Sequence, residues 1–471
     1  MKRQGKRIAM AVVAFGMALG FGVIGGPQTE SKAAEVAINA ETFTDPGVLS
    51  SVNMIDYNKD GILTDDEAAK MTYLYFGTVT SDIPVVLKYF PNIKEITIKT
   101  GSLKSVTVNN KSVKTITVIS DTNGVVSLVG AEPSQIKYYA QKATGALNFK
   151  GVKGYTKVTD ISVFGKKVTR IAVPNQTKLK KLVVKFTSIT KMDTSKCTKL
   201  ESINLSNNKI KSLDLKKNKK LTTLACYDNK LTSLSISANT QLKDIGVSDN
   251  KLTKLDTTKN KKINRILAEN NRLKSLKVGS SKKIKELTIS NNKLSNLDLK
   301  KFAKLETLRM TKNKVKVLNV SKNKNLTCLY CAYNPIKKLS LSNNKNLTYI
   351  NVAGTSIKKL SLKNQKKLSY ITVGKKYDLI KDFKLSTNNK LENGNTMSNI
   401  MMCLTANKTY DLKKMFPALQ GYTFECYSQK MTVTPDGQFT MPSWGKNEYI
   451  GVTARKDKDS VYLSLNTLGE Y

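Results

Sequence analysis

Between residues 56 and 67 the chain reads Asp56-Tyr57-Asn58-Lys59-Asp60-Gly61-Ile62-Leu63-Thr64-Asp65-Asp66-Glu67. Oxygen donors at alternate positions, a glycine at the sixth and a carboxylate at the twelfth satisfy D-x-[DN]-x-[DN]-G-x5-E, the spacing that wraps a chain around Ca²⁺. Asp56, Asn58 and Asp60 place side-chain oxygens on one side, Gly61 allows the sharp turn, Ile62 offers its carbonyl, and Glu67 closes the sphere with both carboxylate oxygens. One structural Ca²⁺ site is expected, with helices over about 48–54 and 67–76 flanking it.

Other chemistry is scarce. The 471 residues contain no histidine, so Ser-His and Cys-His catalysis are excluded and the commonest metal ligand is missing. Asp228 and Asp249 recur at equivalent positions of a repeat, where periodic surface acids are expected without an active site. Cys328 and Cys331 form a C-x-x-C by letters only, because residues three apart on a strand face opposite sides. Cys403 and Cys426 are the remaining candidates for a bridge. Binding, not catalysis, is the expected function.

The elements that position these residues follow from a repeat. Leu200, Leu221, Leu242, Ile263, Ile284, Leu305, Leu326, Leu347 and Leu368 occupy every twenty-first position of the chain. Within a unit apolar residues return as in Leu221, Leu224, Cys226, Leu231, Leu234 and Ile236, which predicts two short inward-pointing stretches per coil. Asn208, Asn229, Asn250, Asn271, Asn292, Asn313 and Asn334 form one amide column. Asn218, Asn239, Asn260, Asn323 and Asn344 form a second, interrupted by Ser281 and Phe302. Stacked amides pair backbone groups that coil stacking would otherwise bury unsatisfied, so these asparagines are read as structural.

The unit L-x-x-L-x-[LCVI]-x-x-N-x-L resembles the leucine-rich repeat, and the chain is similar to the secreted leucine-rich-repeat proteins of bacteria, the internalin-like group among them. The resemblance is strong from Leu179 to about Gly374 and implies a β-rich solenoid with a ligand-binding concave sheet. The 21-residue coil has few helix formers in its second half, so extended or 3₁₀ structure is expected on the convex side. Upstream the pattern decays but continues through Val158-Ile161-Val163, Val113-Ile116-Val118 and Ile93-Ile96-Ile98, with a poor unit near Ile136, giving about 14 coils. The loop at Asp56 resembles an EF-hand. A dockerin would resemble two such loops in tandem, and no second one is found.

The resulting organisation is a signal peptide over 1–33, an EF-hand-like calcium loop and N-terminal cap over 34–78, the solenoid over 79–376 (degenerate to about 178), a linker over 377–398, and a β module over 399–471. The signal is Lys2, Arg3, Lys6 and Arg7 before an apolar run from Ile8 to Ile24, with cleavage expected after Ala33. The mature protein is therefore expected outside the cell, released or held non-covalently at the wall. In the last module short alternating runs and the turn Pro435-Asp436-Gly437 suggest a β-sandwich resembling bacterial Ig-like modules.

Two surfaces are candidates for binding. Outward positions of the last coils carry Arg309, Tyr330, Tyr349, Asn351 and Tyr370, suited to a glycan or protein ligand. A basic residue also recurs nine places into six successive coils, at Lys209, Lys230, Lys251, Arg272, Lys293 and Lys314. The formal charge is +44, and removing the five basic residues and Glu30 of the first 33 leaves +40. That balance suits a polyanion such as a cell-wall polymer, with nucleic acid only as a non-specific polyanion. Equally, such rows keep an exposed sheet soluble.

Overall fold

The computed structural model describes residues 36–77, 83–173, 178–279 and 283–372 apart from 359, 363, 366 and 369. It then describes 380–381, 396–404, 409–415, 419–426, 431–441, 449–456 and 459–467. The expected signal peptide lies outside the described residues.

Fifteen short strands, from Tyr73–Phe76 to Tyr370–Thr372, pair in parallel to form one main sheet, each contributed by a successive turn of the chain. From Lys181 onward the register advances by one regular coil at every step, through Ser202, Thr223, Asp244, Arg265, Glu286, Thr307, Cys328 and Tyr349 to Tyr370. Upstream the steps are uneven: Glu95 pairs with Thr115, Thr115 with Gln135, Gln135 with Asp160, and Asp160 with Lys181. The unit near Ile136 is thus a full strand in register. Its pattern is hard to follow because the chain from Gln135 to Asp160 runs longer than a regular coil before it reaches the next strand.

Inside each coil the middle residue of the strand points to the core. Leu224, Ile245, Ile266, Leu287, Leu308, Leu329 and Ile350 are all essentially inaccessible, each contributing on the order of 2 kcal/mol by leaving water. Their neighbours on either side along the strand face outward. The second half of the coil makes separate two-stranded parallel pairs, Lys254–Asp256 with Ser275–Lys277 among them. Among the described residues no helix occurs between Ile83–Leu87 and Leu412–Met415, as the sparse helix formers led us to expect.

Asparagine chemistry closes the turns between strand and back. The first column lies behind residues held at positive φ, namely Asn207, Asp228, Asp249, Asn270, Asn291, Lys312 and Tyr333. Asn and Asp accept that left-handed conformation more readily than other side chains. Asn250 shows the column's bonding: Nδ2 donates to the carbonyls of Cys226 (2.8 Å), Val247 (3.1 Å) and Ser248 (3.1 Å), and Oδ1 accepts the N–H of Leu231 (3.0 Å). The second column is half satisfied. Nδ2 of Asn260 donates to Ile236 O (2.9 Å) and Asn239 O (2.8 Å), but the Oδ1 atoms of Asn239, Asn260, Asn323 and Asn344 are buried without a partner. Gln365 continues this column, donating to the Leu341 carbonyl at 2.6 Å.

At the N-terminal end, the helices Pro46–Asn53 and Asp65–Lys70 cover the first coil and bury Val48, Val52 and Ala68 in the core that also holds Leu74 and Phe90. Asp45 caps the first helix through Gly47 N (2.8 Å) and Val48 N (3.0 Å), and also accepts Gly77 N (3.0 Å) beyond the first strand. The second helix is shorter than expected. It ends at Lys70, and Tyr73–Phe76, taken from the sequence as its continuation, is the first strand of the main sheet. Tyr73 and Leu74 alternate exposed and buried, and pairing with Glu95–Ile98 satisfies the backbone there better than another helical turn.

At the other end, Thr396–Leu404 lies parallel to Tyr370–Thr372 and to Asp459–Thr467. Tyr449–Lys456 runs antiparallel to Asp459–Thr467, and Thr423–Cys426 antiparallel to Tyr449–Lys456. A second small antiparallel pair joins Thr409–Asp411 to Gln438–Thr440. Among the described residues the terminal module therefore forms two small, mainly antiparallel sheets, the larger one joined to the end of the solenoid's sheet through the parallel strand Thr396–Leu404. Among the described residues no helix is long and apolar enough to cross a membrane.

Candidate functional site

The outward side chains of the main sheet form columns, because equivalent residues of successive coils sit beside one another at the strand spacing of about 4.8 Å. Arg309 and Tyr330, two of the residues singled out from the sequence, are brought together in this way, and Tyr349, whose register partner is Cys328, meets Tyr330 diagonally. The Arg309 guanidinium carbon lies 4.0 Å from the centroid of the Tyr330 ring. On its other side Tyr330 stacks on Tyr349, with centroids 4.3 Å apart and planes 19° from parallel. Both faces of Tyr330 are thereby occupied. Asn351, paired in register with Tyr330, uses its side-chain oxygen to accept Ala353 N at 3.1 Å. Tyr370 pairs with Tyr349 through the backbone; its side chain lies outside the described residues.

Toward the middle of the sheet the face is charged. Arg265 meets Asp244 at 3.4 Å and Lys285 meets Glu306 at 2.9 Å. Burial raises the carboxyl of Glu269 above its ordinary range, against the lowering influence of a Ser290 hydrogen bond and Arg309. Tyr227 lies across Gly246, where a Cβ would come within 1.9 Å of the phenol oxygen, so glycine is what lets this ring lie flat.

Sequence reasoning missed a second aromatic group on the same face. Tyr139 and Phe164 are paired in register and stack at 4.8 Å and 14°. Nearby, Phe186 is 50% exposed, with Lys185 Nζ 4.9 Å from its ring. The overlong coil separates Tyr139 from Phe164, so an alignment at one fixed interval cannot place the two in one column, and Phe186 stands one position past Lys185, the register partner of Phe164.

The residues of the expected calcium loop are gathered but closed on themselves. Asp56 Oδ2 accepts Gly61 N at 3.1 Å, and Asp60 Oδ1 accepts Ile62 N at 2.8 Å while its Oδ2 accepts Asn58 Nδ2 at 2.7 Å. Glu67 accepts Thr64 N (3.0 Å), Thr64 Oγ1 (2.8 Å) and Tyr57 N (3.2 Å). The Thr64 N–H bond is the main reason its carboxyl is held below the ordinary range. Among the described residues no three carboxylates converge as a ready metal cluster. One atom nevertheless fits a cation: Asp56 Oδ1 is buried with no hydrogen-bond partner. Lys59 (φ 57°) and Gly61 (φ 75°) supply the tight loop turn.

The six basic residues Lys209, Lys230, Lys251, Arg272, Lys293 and Lys314 are all exposed, each one position after an asparagine of the first column. Among the described residues none of them is ion-paired. Cys226 and Cys331 point inward five coils apart, and burial pushes both thiols up to about 12. Cys328 is half-buried on the outer face, so the C-x-x-C does divide between the two sides of the strand. The side chain of Cys403 lies outside the described residues.

The fold is a leucine-rich-repeat solenoid. The chain matches no known family profile and no curated protein. Among solved structures it is similar to the functional domain of InlJ from Listeria monocytogenes, described as including a cysteine ladder. Identity there is 18% over 93% of this chain and 100% of that one, with a TM-score of 0.44. It is also similar to an internalin of Listeria monocytogenes at 16% identity, covering 74% of this chain and 98% of the other, with a TM-score of 0.45. A leucine-rich-repeat protein of Leptospira interrogans gives 16% identity, coverage of 66% and 91%, and a TM-score of 0.49.

Proposed function

We propose that the chain is a secreted or cell-surface-associated binding and adhesion protein, not an enzyme, and that it takes a glycan, cell-wall polymer or protein ligand on the outward face of the main sheet. The observation that carries this reading is the Arg309–Tyr330–Tyr349 stack. Side chains already locked against one another lose little freedom when a ligand arrives, so more of the contact energy appears as affinity. The stack presents ring edges, phenol hydroxyls and a guanidinium, which suit a ligand rich in hydroxyl or carbonyl oxygens. An array of glycans, cell-wall polymers and surface proteins, probed with the mature chain at low and high salt, tests it. Binding to one species that resists salt and falls with Arg309→Ala or Tyr349→Ala supports the reading; purely broad, salt-sensitive binding overturns it.

A second reading rests on the unpaired basic rows. Like charges in adjacent coils repel by on the order of 1 kcal/mol per pair before screening, and a bound polyanion would relieve that repulsion. Electrostatic attachment to a cell-wall polymer, with no specific ligand on the sheet, is its outcome.

In either case one Ca²⁺ is part of the proposal, held by Asp56, Asn58, Asp60, the Ile62 carbonyl and Glu67. The unpartnered Asp56 oxygen supports it; Asp60 and Glu67 would exchange their present N–H partners for the ion. The ion's contribution would be to tie the loop to both cap helices.

A further inference from the structure

On the side of the solenoid opposite the main sheet, a groove of about 1080 Å³ opens across three coils. Val317, Leu318 and Leu339 supply its apolar lining, and Lys337, Lys338 and Lys358 its charge. Val317 is 75% exposed, which is unusual for an aliphatic residue beside two buried neighbours of its own coil, Leu318 and Val320. The stretch between Glu306 and Asp378 is rich in Lys and contains no Asp or Glu at all. The groove's lysines accordingly have no acidic partner among the described residues.

The backbone adds a second, independent feature. The segments 316–319 and 337–340, like 212–214, 233–235 and 296–298 in other coils, form no strand pair of the kind that Lys254–Asp256 and Ser275–Lys277 make. Among the described residues none of their N–H groups donates a backbone hydrogen bond. Backbone N–H groups without a backbone acceptor, beside an apolar floor, are what an added strand can use: main-chain hydrogen bonds supply affinity and alternate side chains supply selectivity.

We propose that this groove binds an extended peptide segment of a partner protein in which aliphatic and acidic residues alternate. The aliphatic side chains would cover Val317, Leu318 and Leu339, and the carboxylates would pair with Lys337, Lys338 and Lys358. A peptide is favoured over a lipid because the groove is open along its length, leaving an acyl chain in water. It is favoured over a small molecule because Val317, Leu339 and Lys358, from three successive coils, all line the groove, a span that an extended chain covers. The site lies away from the Arg309 stack and does not depend on the reading of the sheet face.

The test uses the full chain with three probes: a fluorescein-labelled heptapeptide of alternating Glu and Val, a Glu heptamer, and phosphatidylglycerol vesicles. At about 0.15 M salt, where screening acts beyond roughly 8 Å, the alternating peptide should bind saturably and at least about tenfold more tightly than the Glu heptamer. Val317→Glu, and separately the triple change Lys337→Glu, Lys338→Glu, Lys358→Glu, should each weaken it about tenfold with unchanged thermal unfolding. N-methylation of alternate peptide nitrogens should weaken it similarly, and Arg309→Ala should leave it alone. Equal affinity for both peptides, or indifference to Val317→Glu, overturns the proposal in favour of plain charge attraction. Vesicle capture that needs Val317, with no peptide bound, overturns it in favour of a lipid site.

Discussion

Arg309 and Tyr330 stand in register on adjacent strands, with the guanidinium 4.0 Å from the ring centroid while the far face of the ring is covered by Tyr349. Tyr330 is thus the middle of a sandwich and its two neighbours are the ends. The roles of the three side chains must differ. Tyr330→Ala should remove both contacts and lower stability by about 1–2 kcal/mol. Tyr349→Ala and Arg309→Ala should cost less stability yet weaken the true ligand by more than about 1 kcal/mol each. Calorimetric binding alongside denaturant unfolding checks this; equal loss of stability in all three would make the stack a packing device.

The two asparagine columns should respond differently to substitution. Asn250→Ala strips four hydrogen bonds and leaves the Leu231 N–H without its acceptor, so a loss of about 2–3 kcal/mol is expected. Asn260→Leu should cost under about 1 kcal/mol, since the orphaned amide oxygen disappears. The carbonyls of Ile236 and Asn239 keep the backbone donors of Asn239 and Leu242. Phe302, buried in the same column, shows that an apolar side chain is accommodated there. Urea midpoints of the two variants decide the matter.

For the N-terminal cap, a calcium titration by calorimetry should show one site, abolished by Asp56→Ala with Glu67→Ala. Without calcium, Glu67 also links cap stability to pH. Its carboxyl is held low by the Thr64 N–H, so its stabilising effect is full above the unfolded carboxyl value of about 4.3 and is lost as pH falls through the lower folded value. Hydrogen exchange of residues 46–70 should accelerate on acidification below about pH 4 while the distant coils stay protected. No heat on adding calcium would show that Glu67 serves only to cap the helix Asp65–Lys70 together with Thr64.

Charge reversal of Lys209, Lys230, Lys251 and Lys293 to Glu should leave the coils folded, since all four side chains are exposed. If the rows bind a polyanion, the unmodified protein should sediment with cell walls at low ionic strength and elute by about 0.5 M salt, where screening reaches about 4 Å. The reversed protein should be retained less; undiminished retention would leave the rows a solubility device.

Thiol chemistry gives a further check on the coils. With thiols pushed up to about 12, Cys226 and Cys331 should resist alkylation at pH 8 until the solenoid unfolds, whereas the half-buried Cys328 should react first. Mass spectrometry after brief iodoacetamide treatment distinguishes them; fast labelling of Cys226 in the native protein would contradict its place in the core.

The coil, its core and its amide columns were legible in the residues alone, because a solenoid makes each structural position recur. A side chain that must face inward, as Leu224 does, must reappear as Ile245, Ile266 and Leu287. Local rules also sufficed for the turn at Gly61. The sequence by itself did not decide anything that depends on two coils being neighbours when their lengths differ. Tyr139 and Phe164 stack only because an overlong coil brings their strands back into register, and Tyr73–Phe76 is a strand only because Glu95–Ile98 lies beside it. Periodicity tells which way a side chain points. Which rings touch, which backbone is left open beside Val317, and which oxygen of Asp56 goes unpaired are settled by packing between segments distant in the chain.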